Sequence, residues 1–120
     1  MKVPGPDHPI TITPTPHQVR VSAGETVVAE TGRALTLKEA SYPPVQYIPR
    51  EAANMSLLTR TTHTTHCPYK GDANYYSMTV DGRTLENVIW TYEQPYDAVR
   101  AIAGHFAFYP DKVTIEQLTS

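Results

Sequence analysis

The chain is poor in cysteine, in clustered charge and in long apolar runs, and each shortage excludes a class of protein. Cys67 is the one cysteine among 120 residues, so no intramolecular disulfide can form, and a reducing cytoplasm is the predicted location. Ten Lys and Arg against twelve Asp and Glu give a net charge of -2, without the basic stripe that nucleic acid or an anionic membrane surface attracts. No run approaches the roughly 20 apolar residues that cross a bilayer, and the first residues do not resemble a signal peptide. We therefore expect one soluble domain with neither nucleic acid nor membrane as a partner.

Proline is concentrated at the start of the chain. Five of the eleven prolines fall in residues 1–16, where they remove backbone donors and restrict the residues before them. This composition predicts a Pro-rich extended N-terminal arm over residues 1–16, followed by a single domain over residues 17–120.

Beyond the arm, short segments with a two-residue apolar period alternate with turn residues, which predicts about eight to ten strands. The clearest hairpin is "NYYSMTVDGRTLENVIWTY", where Asp81-Gly82 supplies the positive-φ positions of a tight turn. One helix is predicted in "PYDAVRAIAGH", Pro95 to His105, from apolar residues at helical spacing. These elements indicate a mainly β domain of two antiparallel sheets packed or bent against each other, with one short C-terminal helix.

The segment "TRTTHTTH" is polar on both faces, which leaves no side for a hydrophobic core. Such a strand is either an exposed edge or the lining of a wet cavity. The rigid connection that follows, Cys67 to Asp72, contains Pro68 and Gly71 and can present a thiol, a phenol and an ammonium group to one volume. We therefore favour the cavity.

Three kinds of chemistry are considered for these residues. Structural zinc requires four ligands, usually paired cysteines, so neither a metal nor another cofactor is predicted. His66 is the best acid/base candidate because its ordinary pKa is nearest neutrality. Cys67 is the best nucleophile, although a cysteine before a proline at a strand end is more often a packing residue.

A ligand site is the third kind. Arg50 and Lys70 could hold an anionic group, and a chain with eight tyrosines and two phenylalanines carries mostly polar-tipped rings. The predicted ligand-binding residues are Tyr47, Arg50, Tyr69, Lys70, Tyr76 and Trp90.

Five segments resemble one known family: "GRAL", "YPPVQYIPRE", "TTHCPYKGDANYYS", "ENVIWTYEQP" and "IAGHFAFYPDKV" occur in order between Val19 and Val113. They are similar to the family called domain of unknown function 427. The resemblance implies a β-tent or Mss4-like fold of two sheets meeting at an angle, related to methionine sulfoxide reductase B and to the thalidomide-binding domain of cereblon. Those relatives carry a zinc site of paired cysteines, which this chain lacks.

The same resemblance implies a small-molecule cavity on one sheet, with Trp90, Tyr76 and Tyr92 among its residues. The family also carries a nucleotidyltransferase label, but this chain has no Gly-Ser followed by paired metal-binding aspartates.

Two functions follow as hypotheses. The first is binding of a small molecule, anionic in part, in an aromatic and polar cavity; whether a reaction follows is left open. The alternative is a non-catalytic interaction module, in which an edge strand and the N-terminal arm contact a partner or a second copy of the chain. The sequence identifies neither the ligand nor the oligomeric state.

Overall fold

The computed structural model describes residues 1–119, and ten strands dominate it. The strands are β1 (Ile10–Pro14), β2 (Gln18–Ala23), β3 (Thr26–Thr31), β4 (Leu35–Glu39), β5 (Val45–Tyr47), β6 (Leu58–Cys67), β7 (Gly71–Val80), β8 (Arg83–Thr91), β9 (Phe106–Phe108) and β10 (Thr114–Leu118). Three short 3₁₀ helices cover Arg50–Ala52, Met55–Leu57 and Asp97–Ile102. The expected mainly β class is confirmed.

The strands form three antiparallel sheets, one more than the sequence predicted. The first sheet has the order β1-β4-β5, the second β10-β2-β3, and the four-stranded central sheet β6-β7-β8-β9. The extra sheet arises because the N-terminal arm supplies β1, which pairs with β4 along its whole length from Ile10↔Glu39 to Pro14↔Leu35. β1, β4 and β5 therefore form a sheet separate from the one that contains β10, β2 and β3.

The hydrophobic core consists of two clusters, one on each face of the central sheet. Tyr75 belongs to a cluster shared with Leu37 and Tyr47 of the first sheet. Tyr76 belongs to the other cluster, which contains Val19 and Val21 of the second sheet. Successive side chains of a strand point to opposite faces, so these two neighbouring tyrosines serve opposite layers of the molecule.

The predicted hairpin between β7 and β8 is confirmed. Asp81 and Gly82 have φ values of 53° and 75°, and Val80 pairs with Arg83 across the turn. Two positive φ angles in a two-residue loop match the twist of the strands that the loop connects. Further along the hairpin β8 gains two extra residues relative to β7, since Met78 pairs with Leu85 but Tyr76 with Ile89.

The predicted C-terminal helix is a 3₁₀ segment over Asp97–Ile102 and not an α-helix from Pro95 to His105. Val99 interrupts it with φ -124°, yet Val99 and Ile102 are both fully buried. In a 3₁₀ helix residues three apart lie one above the other, so this geometry directs both side chains into the core with a single turn.

The N-terminal arm is part of the folded structure over much of its length. Besides β1, an isolated bridge joins Gly5 to His8, and the Lys2 amide donates to the Pro68 carbonyl at 2.7 Å. The boundary proposed at residue 16 stays a prediction. Within residues 1–119 no helix is both long and apolar enough to span a bilayer.

Candidate functional site: an aromatic cavity

A cavity of about 390 Å³ opens between the first sheet and the central sheet. Six aromatic rings, a thiol and one ion pair are found in its lining, together with three apolar side chains. The lining residues are Leu37, Glu39, Tyr42, Pro43, Val45, Tyr47, Cys67, Lys70, Tyr75, Trp90, Tyr92 and Tyr109.

Strand pairing places the indole of Trp90 among the phenols. Tyr75 and Trp90 are direct partners across β7 and β8, so their side chains share one face of the central sheet. Tyr47 reaches the same space from β5, where its hydroxyl accepts a hydrogen bond from Trp90 Nε1 at 3.2 Å. The two rings are perpendicular, with 6.5 Å between centroids, and Tyr109 lies 4.6 Å from Trp90 on another side. Tyr47 and Trp90 therefore pack edge to face, whereas the ring of Tyr109 is tilted by 52° relative to the indole.

Three phenols of the cavity, those of Tyr47, Tyr92 and Tyr109, have a raised pKa. Burial raises the pKa of Tyr47 and Tyr92 above the ordinary value for tyrosine. Burial, followed by the hydrogen bond to Tyr75, raises the pKa of Tyr109 to about 12. The hydroxyls of Thr65, Tyr75 and Tyr109 form a chain, with 3.0 Å and 3.4 Å between successive oxygens. Each hydroxyl of this chain can both donate and accept a hydrogen bond.

A nearly buried ion pair forms one wall. Lys70 Nζ donates to Glu39 Oε1 at 2.5 Å, and the two side chains are only 10% and 15% exposed. His8 Nε2 lies 2.7 Å from the other carboxylate oxygen of Glu39. Burial alone would raise the pKa of Glu39, but the hydrogen bonds from Lys70 and His8 outweigh it and lower the pKa below the ordinary value. The ammonium and the carboxylate thus balance each other at the cavity wall.

The turn from Cys67 to Gly71 brings the thiol and the ammonium group to the same cavity. Cys67, the last residue of β6, pairs with Gly71, the first residue of β7. Gly71 has φ 108°, a conformation that residues with a side chain rarely adopt. The half-buried thiol and Lys70 both line the cavity, as does Tyr92, whose ring centroid is 5.9 Å from Lys70 Nζ.

Of the eight residues predicted for the site, the cavity brings together four: Tyr47, Cys67, Lys70 and Trp90. Tyr76 lies on the opposite face of the central sheet, where its hydroxyl accepts a hydrogen bond from Arg50 Nη1 at 2.8 Å. Tyr69 stacks on His8, with 3.9 Å between ring centroids.

His66 faces a separate polar groove of about 690 Å³, where its Nδ1 lies 2.7 Å from Asp72 Oδ1. The strand that carries it, β6, is an edge strand of the central sheet and is largely exposed on both faces. Of that strand only Cys67 lines the aromatic cavity. The polar segment is therefore an edge strand that borders a polar groove, and the aromatic cavity begins where the strand ends.

Tyr75, Glu39 and Tyr109 are cavity residues that the sequence-based site did not include. The signal for Tyr75 was present in the hairpin: a two-residue turn that pairs Val80 with Arg83 puts even-numbered residues of β7 opposite odd-numbered residues of β8. Trp90 must then share its face with Tyr75 and not with Tyr76. The contact of Glu39 with Lys70 has no comparable signal, because the two residues are 31 positions apart.

Within residues 1–119 no three His, Cys, Asp or Glu side chains lie close enough together to share a metal ion. The fold and the cavity define a mainly β domain with an aromatic chamber between two antiparallel sheets. A family model described as a domain of unknown function, DUF427 (NTP_transf_9), matches residues 11–119, and the chain belongs to this family. The family resemblance seen in the sequence is thereby confirmed. No curated protein matches the chain.

Proposed function

We propose that the protein binds a small, planar and largely neutral molecule in the aromatic cavity. The observation that carries the proposal is the concentration of Trp90, five tyrosines and the Lys70–Glu39 pair around one open volume of about 390 Å³. Binding sites for small molecules usually occupy roughly 300–1,000 Å³ and combine apolar walls with a few polar groups that fix orientation. The β-tent arrangement implied by the resemblance supports the same function, since the related folds bind ligands on one sheet.

The chemistry of the ligand follows from the walls. Aromatic faces and edges favour a flat, conjugated ring. Hydrogen bonds to it are available from the hydroxyls of Tyr42 and Tyr92, to which no side-chain hydrogen bond is formed within residues 1–119, and from the protons of Lys70 that do not face Glu39. Because Glu39 balances the charge of Lys70, a full anion gains little here. A neutral ring with carbonyl or ring-nitrogen acceptors suits the cavity best.

The proposal is for binding and includes no chemical step. Arg50 lies outside the cavity, so the anion clamp of Arg50 with Lys70 is not part of it. Cys67 lines the aromatic cavity, whereas His66 faces the separate polar groove. The nucleophile candidate and the acid/base candidate therefore do not line the same cavity.

The single tryptophan makes the test specific, because Trp90 is itself a wall residue. A panel of neutral planar amides, benzamide and nicotinamide among them, is titrated while Trp90 emission is recorded. We expect saturable quenching or a wavelength shift for at least one compound. Tyr92→Phe should weaken that binding several-fold, whereas the matched change Tyr76→Phe, on the opposite face of the sheet, should leave it unchanged. Equal effects of both variants, or no saturable change across the panel, would refute the proposal.

A second candidate function rests on β6, whose outer edge is unpaired within the described chain. An open edge of ten residues can accept a strand from a second copy of the chain. Molar mass measured by light scattering over a range of concentrations distinguishes the two functions. A dimer that Thr62→Lys, in the middle of the open edge, converts to a monomer supports the interaction module; a monomer at all concentrations excludes self-pairing. Deletion of residues 1–16 is a less clean test, because it also removes β1.

A further inference from the structure

Arg50 differs from most arginines of the chain in having no carboxylate partner. Arg20, Arg33, Arg60 and Arg100 each form an ion pair with an Asp or Glu. Among residues 1–119, Arg50 and Arg83 are the two arginines without one. Arg83 is exposed at the start of β8, immediately after the hairpin turn. Arg50 is in a different situation.

The guanidinium of Arg50 is held in place by neutral groups. Its Nη1 donates to the Tyr76 hydroxyl at 2.8 Å. Its central carbon lies 5.6 Å from the ring centroids of both Tyr76 and Phe106, two residues that are almost completely buried. Aromatic faces and a phenol orient a guanidinium without neutralising it. The charge of Arg50 is therefore fixed in position and remains available.

Arg50 opens onto a cleft of about 440 Å³ that also has Arg33 and His105 in its walls. Glu51 is the one carboxylate among the lining residues, and it accepts a hydrogen bond from Arg33 at 3.2 Å. The side chains of Arg33 and Glu51 are 78% and 69% exposed, so this ion pair contributes little to stability and can rearrange. Two arginines against one glutamate leave the cleft with net positive charge.

We propose that this cleft is a binding site for a phosphate group, free or carried by a small molecule, with Arg50 as its centre. A guanidinium presents parallel N–H donors that match two oxygens of a phosphate, and Arg33 supplies a second cation for a dianion. The site is separate from the aromatic cavity, because Arg50 packs on the Tyr76 face of the central sheet and Trp90 on the other. It does not depend on the function proposed for that cavity.

The test uses inorganic phosphate as the probe, with acetate at equal ionic strength as the monoanionic comparison. Titrations are followed by the ¹H–¹⁵N signals of the arginine Nε–H groups. We expect saturable shifts at Arg50 with phosphate and much weaker ones with acetate. Arg50→Gln should weaken phosphate binding at least roughly tenfold, which is the usual effect of losing a charged hydrogen bond. The control Arg83→Gln removes the same charge from the other unpaired arginine and should change nothing.

Two further variants keep the proposal testable if Arg50→Gln impairs folding. Arg33→Gln alters an exposed side chain and should weaken phosphate binding several-fold. Tyr76→Phe keeps every charge but removes the hydroxyl that orients Arg50, and should also weaken it. Equal losses in Arg33→Gln and Arg83→Gln would reduce the effect to overall charge and overturn the proposal. Acetate binding as strong as phosphate binding, or no saturable shift at Arg50, would overturn it as well.

Discussion

Lys70 and Glu39 are 31 residues apart in the chain, yet they form a 2.5 Å hydrogen-bonded ion pair in the wall of the aromatic cavity. Lys70 lies in the turn between β6 and β7, and Glu39 is the last residue of β4, so the pair joins the central sheet to the first sheet. His8, in the N-terminal arm, contacts the same carboxylate through its Nε2 atom. The Glu39 carboxylate thus links the two sheets that enclose the cavity to the N-terminal arm.

We expect this pair to be coupled in stability. Lys70→Met leaves the nearly buried Glu39 carboxylate without its main partner, and a loss of about 3 kcal/mol in unfolding free energy is typical of such a change. Glu39→Gln should cost a similar amount. The double variant Lys70→Met/Glu39→Gln should lose less than the sum by about 1–3 kcal/mol, as residues in one ion pair usually do. Urea denaturation of the four proteins measures this.

The exposed pair Arg33–Glu51 provides the control cycle, because its side chains are 78% and 69% accessible. A coupling of less than about 1 kcal/mol is expected there. A Lys70–Glu39 coupling no larger than that of the control pair would contradict the role assigned to the buried pair.

The lowered pKa of Glu39 predicts a loss of stability in acid. Hydrogen bonds from Lys70 and His8 hold its pKa below the ordinary value in the folded chain, whereas in the unfolded chain it returns to about 4.3. The stabilisation is therefore complete above pH 4.3 and is lost as the pH falls through the folded-state pKa. We expect the difference in unfolding free energy between the wild type and Glu39→Gln to shrink as the pH is lowered from about 5.5 to 3.

Urea denaturation at a series of pH values checks this expectation. Glu25→Gln, a change at an exposed turn position, serves as the control and should show a difference that stays small throughout. A wild-type advantage over Glu39→Gln that is constant down to pH 3 would be inconsistent with the lowered pKa.

Local patterns predicted the strands, and they contained the information for one face of the cavity, although the predicted site named Tyr76 in place of Tyr75. The Asp81-Gly82 turn defines the hairpin. Because its loop has two residues, even-numbered residues of β7 lie opposite odd-numbered residues of β8, and this determines which residues share the face of Trp90. The same information predicts that Tyr75, and not Tyr76, lies beside Trp90, because each residue along a strand reverses side. This part of the site depends on contacts within one hairpin, where sequence spacing and spatial position are directly related.

The rest of the site depends on how the sheets pack against each other, which the spacing of residues in the sequence does not predict. Arg50 follows Tyr47 by three residues and was predicted to share its cavity, but the 3₁₀ turn that begins at Arg50 carries its guanidinium to the Tyr76 face. The polar composition of β6 is compatible with the lining of a cavity and equally with an exposed edge strand. Only the order of strands, in which β6 is outermost, distinguishes these possibilities.

Cys67 is the one cysteine and Trp90 the one tryptophan of the chain, and both line the same cavity. A label attached to Cys67 should therefore change the fluorescence of Trp90. We expect iodoacetamide carrying a nitroxide to react with the half-buried thiol and to quench Trp90 emission strongly, because nitroxides quench over short distances. The label should also block any compound found to bind in the cavity. Cys67→Ala treated with the same reagent is the control and should keep its emission. Labelling that leaves Trp90 emission unchanged would show that the two side chains do not share one space.

Gly71 is expected to be essential for the turn that carries Lys70. Its φ of 108° is unfavourable for any residue with a side chain, although an added Cβ would meet its nearest neighbours at an ordinary 3.7 Å. The cost of Gly71→Ala should therefore come from the backbone and amount to about 1–2 kcal/mol of unfolding free energy. Gly5→Ala is the control, since Gly5 has open space around it and no positive φ, and its effect should be within about 0.5 kcal/mol.

The same variant, Gly71→Ala, also tests whether the position of Lys70 depends on the backbone conformation of Gly71. If the turn adopts another conformation to accommodate alanine, Lys70 moves away from Glu39, and the Lys70–Glu39 coupling measured in the Gly71→Ala background should fall. A Gly71→Ala protein that is as stable as the wild type and keeps the full coupling would show that the positive φ of Gly71 is not what places Lys70 at the cavity wall.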